Sequence, residues 1–338
     1  MALSILSRPN PVVAAPMAGV STPELAAAAS ASGGIGFLAA AFLAPASLRA
    51  EVAAYRTLVD APVALNLFSP QPDRSAELAS QLVAYAAEIA ATARKHGVEP
   101  GDPRHDEFHF DAKVAYLVAE PVDAVTFTFG PVPETVVRDL QGVGTAVGFT
   151  VTSLHEAHQA VALGADFLVA QGASAGGHRG TWHVSDEPNE DSTDDVLSAV
   201  STTGLPVIAA GGVAGRDDVR RLLDAGAAAV AVGTLFVAAD EAGSSTAHRD
   251  ALTSGRFPGT VVTRAFTGRP ARALRNAFVA DHDGHAPSAY PHVQHTTQPV
   301  RQAAATAGDP DAMALWAGSG HAAAARRPAR DVVAALWP

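Results

Sequence analysis

The chain has 338 residues, 48% of them apolar, which is ample for one large domain or two small ones. It carries 23 basic against 34 acidic side chains, a formal charge of −11, and its only lysines are Lys95 and Lys113. That balance argues against nucleic acid or an anionic membrane surface as partner, and the lack of cysteine excludes disulfides and thiolate chemistry and fits a cytosolic location.

Met1–Asn10 has a single Arg, and prolines flank Asn10, so it lacks a signal-peptide pattern. Eight short β-rich runs follow in order: Val12–Ala18, Ile35–Ala40, Val63–Phe68, Ala124–Phe129, Thr145–Val151, Phe167–Ala170, Pro206–Ala210 and Ala228–Val232. None alternates cleanly between apolar and polar, as expected of parallel strands buried on both faces. Helix-period segments lie between them, for example Pro23–Ser32, Ser153–Leu163 and Arg216–Ala225. Leu25–Ala44 is nearly all apolar, but it is mostly Ala and is interrupted by Gly33, Gly34 and Gly36. It therefore reads as helix, break and strand rather than a membrane span. Eight alternations predict a (β/α)8 TIM barrel over residues 1–240, with a doubly wound sheet as the alternative.

Two regions exceed a minimal barrel. Ser69–Pro121 is an oversized connection holding a helix (Arg74–Lys95) and a polar loop (His96–Phe110). Glu241–Gly308 is rich in Thr, Arg, His and Pro, has no strong strand pattern, and is predicted to cover the barrel mouth as a lid or substrate subdomain. Residues 309–338 return to helix-like composition and are expected to pack back on the barrel.

In such a barrel the C-terminal strand ends carry the chemistry. The sixth run leads into Gln171-Gly-Ala-Ser-Ala-Gly176-Gly177-His178-Arg179-Gly180. Its glycines allow close backbone approach to a ligand, and its imidazole suits proton movement near neutral pH. Gly211-Gly212 and Gly233-Thr234, on adjacent strands, are the places where many barrels hold a phosphate on backbone N–H groups. Asn66 and Gln171 both donate and accept, matching the mixed edge of a flavin ring, and Met17 offers a packing surface beneath it. One phosphate site and no GxGxxG fingerprint favour FMN over FAD. His282, His285, His292 and His295 form two H-x-x-H pairs. With no firm helix to make the pairs converge, they are read as solvated lid histidines and no metal site is assigned. The acidic run Asp186–Asp195 is read as a solvated loop before a helix at Val196–Ser201.

These residues resemble the nitronate monooxygenases, formerly the 2-nitropropane dioxygenases, along nearly the whole chain. The matching segments are Ala15-Pro-Met-Ala-Gly19, Asn66-Leu-Phe68, Gln171 through Gly180, Ala210-Gly-Gly-Val213, Val232-Gly-Thr-Leu-Phe236, Phe266-Thr-Gly-Arg269 with Asn276, Tyr290-Pro, Pro299-Val-Arg301, Gly308-Asp309 and Trp316-Ala-Gly318. Flavin enoyl reductases share the Gly-Gly-His segment; the Trp-Ala-Gly tail discriminates better. The resemblance implies non-covalent FMN contacted by Asn66, Gln171, Gly176, Gly212 and Ala231, Val232, Gly233 and Thr234, with His178 as the catalytic residue. It implies oxidation of nitronates, or of nitroalkanes after His178 removes the α-proton, by O2 to carbonyl compounds and nitrite. Two departures bear on substrate preference: Ser174 stands where Glu is usual, and Thr128 where His is common. Positive potential for an anion is expected from His178, Arg179 or Arg301. The competing expectations are an FMN-dependent NAD(P)H reductase, such as an enoyl thioester reductase, and a non-redox barrel that binds a sugar phosphate.

Overall fold

The computed structural model describes residues 4–337, so the first three residues of the Met1–Asn10 segment and Pro338 lie outside it. The strands are β1 (Val12–Ala14), β2 (Ile35–Ala39), β3 (Ala64–Phe68), β4 (Ala124–Thr128), β5 (Ala146–Val151), β6 (Phe167–Gln171), β7 (Gly177–His178), β8 (Val207–Ala210), β9 (Ala229–Val232), β10 (Thr260–Thr263) and β11 (Ala271–Leu274). β1 to β6, β8 and β9 close into a barrel in chain order, each neighbour parallel, and β9 pairs back onto β1. The expected (β/α)8 barrel is therefore present, and the doubly wound alternative is excluded.

The barrel strands are apolar runs because both faces are buried. Val13, Ile35, Phe37, Ala64, Phe167 and Ile208 fill the interior with Ile5, which enters from below. Val12, Leu65, Val125, Val147, Leu168 and Val230 pack outward under the helices. Packing inside is close: a Cβ on Gly148 would sit 2.6 Å from the Phe167 ring. Side chains also cap the helices. Thr22 accepts from the Leu25 amide, Ser153 from the Glu156 amide, and Ser192 forms a reciprocal box with Asp195. That last cap moves the helix start to Thr193, ahead of the expected Val196, and leaves most of the acidic run exposed as anticipated.

The first strand is shorter than its apolar run, and Ala15–Ala18 instead line the barrel mouth. Of the Leu25–Ala44 stretch, part is the Pro23–Ala31 helix and part is β2. Among the described residues no helix is long and apolar enough to cross a membrane.

Residues 241–308 differ from expectation in three ways. They contain a hairpin, β10 with β11, and β11 also pairs antiparallel with β7, so this segment is bonded to the Gly177–His178 backbone. They contain a 16-residue helix, His292–Ala307, which packs on the Ser75–Lys95 helix of the other oversized connection. Their histidines are not generally solvated. His282, His292 and His295 are buried and only His285 is exposed. His292 Nε2 lies 2.8 Å from Ser75 Oγ, tying the two helices together, and His282 Nε2, at the end of the short Ala277–His282 helix, lies 3.0 Å from Thr92 Oγ1. After residue 308 the chain makes 3-10 turns and irregular segments, and the only α-helix described there is Ala329–Leu336.

Candidate active site

The C-terminal ends of the barrel strands surround a cavity of about 640 Å3. It contains all the residues singled out above as catalytic or cofactor-binding. Met17 comes from the β1 end, Asn66 from β3, Gln171 from β6, and Gly176, Gly177 and His178 from the following loop and β7. Gly211 and Gly212 follow β8, and Ala231, Val232, Gly233 and Thr234 end β9. No Asp or Glu lines the cavity among the described residues, although the protein as a whole is acidic.

One end of the cavity is built from backbone. Gly212 has φ of +73°, and a Cβ there would stand 2.6 Å from Ser174 Oγ, so only glycine fits both the conformation and the space. The Gly212, Val213, Gly233 and Thr234 amides donate to no protein acceptor among the described residues. Thr234 Oγ1 accepts from the Gly318 amide at 2.9 Å, which leaves its own proton free to donate. Ser319 N–H donates to the Ser174 carbonyl at 3.0 Å. The Trp316–Gly320 segment thus closes this end. Trp316, Gly318 and Gly320 line the cavity although the sequence marked only the Trp-Ala-Gly tripeptide, and only as a family signature. Unpaired amides with a spare hydroxyl and no nearby carboxylate suit a phosphate.

The two amide side chains have different jobs. Asn66 Nδ2 lies within 2.9–3.1 Å of Thr126 and Thr128 oxygens, so its amide orientation is set by strand β4. Gln171 is committed to the loop: Oε1 accepts from the Gly180 amide at 2.8 Å and Nε2 donates to the His178 carbonyl at 3.0 Å. It shapes the turn that presents His178 as well as facing the cavity. Thr128 also meets Thr150 Oγ1 at 2.9 Å, so a hydroxyl pair stands at this part of the cavity wall.

His178 sits on the cavity wall, half-buried, with its ring 5.4 Å from Trp316, 5.5 Å from Phe129 and 5.9 Å from Tyr290. Its Nε2 is 3.0 Å from Thr267 Oγ1. That hydroxyl also lies 3.2 Å from the Arg269 carbonyl, and when its proton is donated there Nε2 carries the imidazole N–H. Nδ1 has no protein partner among the described residues. Desolvation, reinforced by Arg269 and Arg301, pushes the imidazole down to about 3, so it is neutral at physiological pH.

Of the three candidates for positive potential, Arg301 lines the cavity, held by Thr297 Oγ1 at 3.0 Å and the Gln294 carbonyl at 2.9 Å. Burial lowers it only to about 10, so it stays charged. Arg179 does not reach the cavity: it is buried behind the loop and donates to Asn189. His178 itself is uncharged. Sequence reasoning did not place Arg301 and overlooked His248, a buried cavity residue whose Nε2 lies 3.2 Å from the Trp316 carbonyl. A histidine in a short helix next to Ser244 and Ser245 carries no local signal of the site it joins.

Residues 2–338 match the family described as nitronate monooxygenase. A nitronate monooxygenase of Pseudomonas aeruginosa is 35% identical, covering 98% of this chain and 96% of its own. One of Paraburkholderia phytofirmans is 34% identical, covering 99% and 93%. Among solved structures, nitroalkane oxidase from Streptomyces ansochromogenes superposes with a TM-score of 0.93 at 42% identity, over 97% of this chain and 95% of that one. FabK from Thermotoga maritima reaches 0.76 at 26% identity, over 98% and 93%. The family match over residues 2–338, the similarity to these enzymes along the full chain and the closed parallel barrel place the chain among the oxidoreductases of the nitronate monooxygenase family.

Proposed function

We propose that the cavity binds FMN without a covalent bond and that the protein oxidises alkyl nitronates with O2 to carbonyl compounds and nitrite. The observation that carries this reading is the cavity's charge: a charged Arg301 and a neutral imidazole face it and, among the described residues, no carboxylate does, in a chain of charge −11. Such a wall favours an anion. The amides of Gly212, Val213, Gly233 and Thr234 suit the FMN phosphate, Asn66 and Gln171 suit the ring edge, and Met17 and Gly176 lie along its path. FMN, when bound, supplies the electron sink and the route to O2.

The chain's own residues select the substrate's ionisation state. An imidazole held at about 3 is a weak base, so abstracting the α-proton of a neutral nitroalkane is poorly driven. A pre-formed nitronate needs no such step. Arg301 then neutralises its oxygens, and His178 orients it through Nδ1, taking up a proton there as the anion's charge raises its affinity. Tyr290, Phe129 and Phe68 close the side behind His178 with hydrocarbon, which keeps water from the reacting carbon.

The second reading is the competing expectation drawn from the sequence, an FMN-dependent NAD(P)H reductase such as an enoyl thioester reductase. Anaerobic stopped-flow mixing separates the two. The purified protein is expected to be yellow, to bleach rapidly with ethyl nitronate, and to bleach slowly with NADH or NADPH. The reverse order of rates would favour the reductase, and a colourless protein that takes up no FMN would exclude both.

A further inference from the structure

Arg269 is fully buried, at 0% exposure, yet no carboxylate lies within salt-bridge reach of it among the described residues. A buried, unpaired guanidinium is costly and is retained where it has a task. Its Nη1 donates to Gln71 Oε1 at 3.1 Å, its Nη2 donates to the Thr181 carbonyl, and its Nε has no partner. Gln71 Nε2 donates in turn to the Phe129 carbonyl at 2.8 Å. The guanidinium carbon lies 3.8 Å from the centre of the Phe129 ring, and that ring meets His178 edge-on. Phe129 reaches this place with φ of +83°, a conformation that side chains other than glycine rarely adopt. The backbone of Arg269 completes the link: its N–H donates to Thr267 Oγ1 at 3.3 Å and its carbonyl accepts from the same hydroxyl, which contacts His178 Nε2.

We propose that Arg269 is the positioning residue of this site, a fixed cation behind the cavity wall that holds His178 with its only N–H on Nε2 and a bare Nδ1 toward the substrate. Two features combine. The Thr267 hydroxyl has one proton, and with that proton on the Arg269 carbonyl Nε2 is the donor. The unpaired charge opposes a second proton on the ring. The charged groups that face His178 are Arg269 from the turn before β11 and Arg301 from the His292–Ala307 helix, both positive. Tyr290 stays neutral, because burial raises its hydroxyl. Glu156 and Asp186 act on Arg269 only at longer range, and Glu156 is engaged by Thr152 and Trp182. The imidazole thus meets an incoming anion uncharged and takes up a proton at Nδ1 only as the anion binds, so no ion pair is formed in advance.

The inference rests on the cavity being the reaction site, but its test reads the imidazole itself, without substrate. In 15N-histidine holoenzyme, the His178 signal is identified by its loss in His178→Asn. At pH 7 it should show the Nε2–H tautomer, and it should stay neutral down to pH 5. Arg269→Met, which keeps bulk and removes charge, should raise its proton affinity by about tenfold or more, and Arg269→Lys should largely preserve the low value. Thr267→Val, which keeps the charge and removes the relay, should lose the tautomer preference while the ring remains hard to protonate. A wild-type ring that is cationic or Nδ1-protonated at pH 7 would overturn the proposal without any variant. So would a folded Arg269→Met with unchanged titration, even if that variant melts earlier, because a purely structural arginine would alter stability and leave the tautomer and titration alone.

Discussion

His178 pairs with Ala271 across an antiparallel ladder, so the backbone of the candidate catalytic residue is an edge strand of a sheet supplied from far downstream. On its other side the same residue is held by Gln171. The imidazole is thus fixed by the barrel and by the 241–308 segment together. Because this imidazole is a weak base, wild-type nitroalkane turnover should be slow, and His178→Asn should lower it further, by at most roughly the 10²–10⁴ typical of removing a general base. Nitronate oxidation should fall much less. Steady-state rates on matched nitroethane and ethyl nitronate check this. Normal rates on both, with FMN still bound, would remove His178 from the chemistry.

Among the described residues Arg301 is the charged side chain that lines the cavity, and it is proposed to meet the nitronate oxygens. Losing a charged hydrogen bond costs about 1.5–3 kcal/mol, so Arg301→Met should raise KM for a nitronate about 10- to 100-fold with a smaller change in kcat. Arg301→Lys should recover part of it. An unchanged KM in the Met variant would place the anion elsewhere.

Gly212→Asp and Gly233→Asp put a carboxylate where a phosphate charge is expected, and Gly212 has no room for a Cβ beside Ser174. Each should abolish flavin retention, read as the ratio of flavin absorbance to protein absorbance after gel filtration. Full occupancy in either variant counts against the β8/β9 phosphate site.

Residues 241–308 supply Gln294, Arg301 and Gln302 to one wall, and we propose that parts of this segment act as a lid. Saturation with an unreactive nitronate analogue should slow amide exchange in the His292–Ala307 helix and in the 243–248 stretch. Exchange that stays the same at saturation would remove the lid assignment.

Burial holds His248 down to about 4, partly offset by its contact with the Trp316 carbonyl, whereas an unfolded imidazole titrates near 6.5. The folded value is the lower one, so the unfolded chain binds the extra proton between those limits. Stability from this group is therefore complete above about pH 6.5 and is lost as pH falls toward 4. At pH 5 the loss is about 2 kcal/mol. Urea unfolding of His248→Gln should vary less between pH 8 and 5 by that amount, and an equal slope in both proteins would refute a buried neutral His248.

The barrel was legible because parallel strands buried on both faces read as short apolar runs, and because Gly211-Gly212 and Gly233-Thr234 fall at adjacent strand ends. The hairpin from Thr260 to Leu274 was not, since its strands, Thr260–Thr263 and Ala271–Leu274, are only four residues each and Arg272 interrupts the second. The His292–Ala307 helix was hidden by Pro299 inside it and by polar residues that turn out to be buried. Arg269 could be matched to a family motif but not given a task. An arginine between Gly268 and Pro270 reads as a solvated turn, and only tertiary packing shows that it lies under Phe129.

Trp316 has a further consequence. Its indole lines the cavity and lies 5.4 Å from the His178 ring, whereas Trp182 is buried behind the loop and Trp337 packs near the end of the last helix. One of the three tryptophans is thus an optical reporter built into the cavity. Its emission can follow occupancy in real time without an attached dye, and the other two provide the steady background against which a change is read.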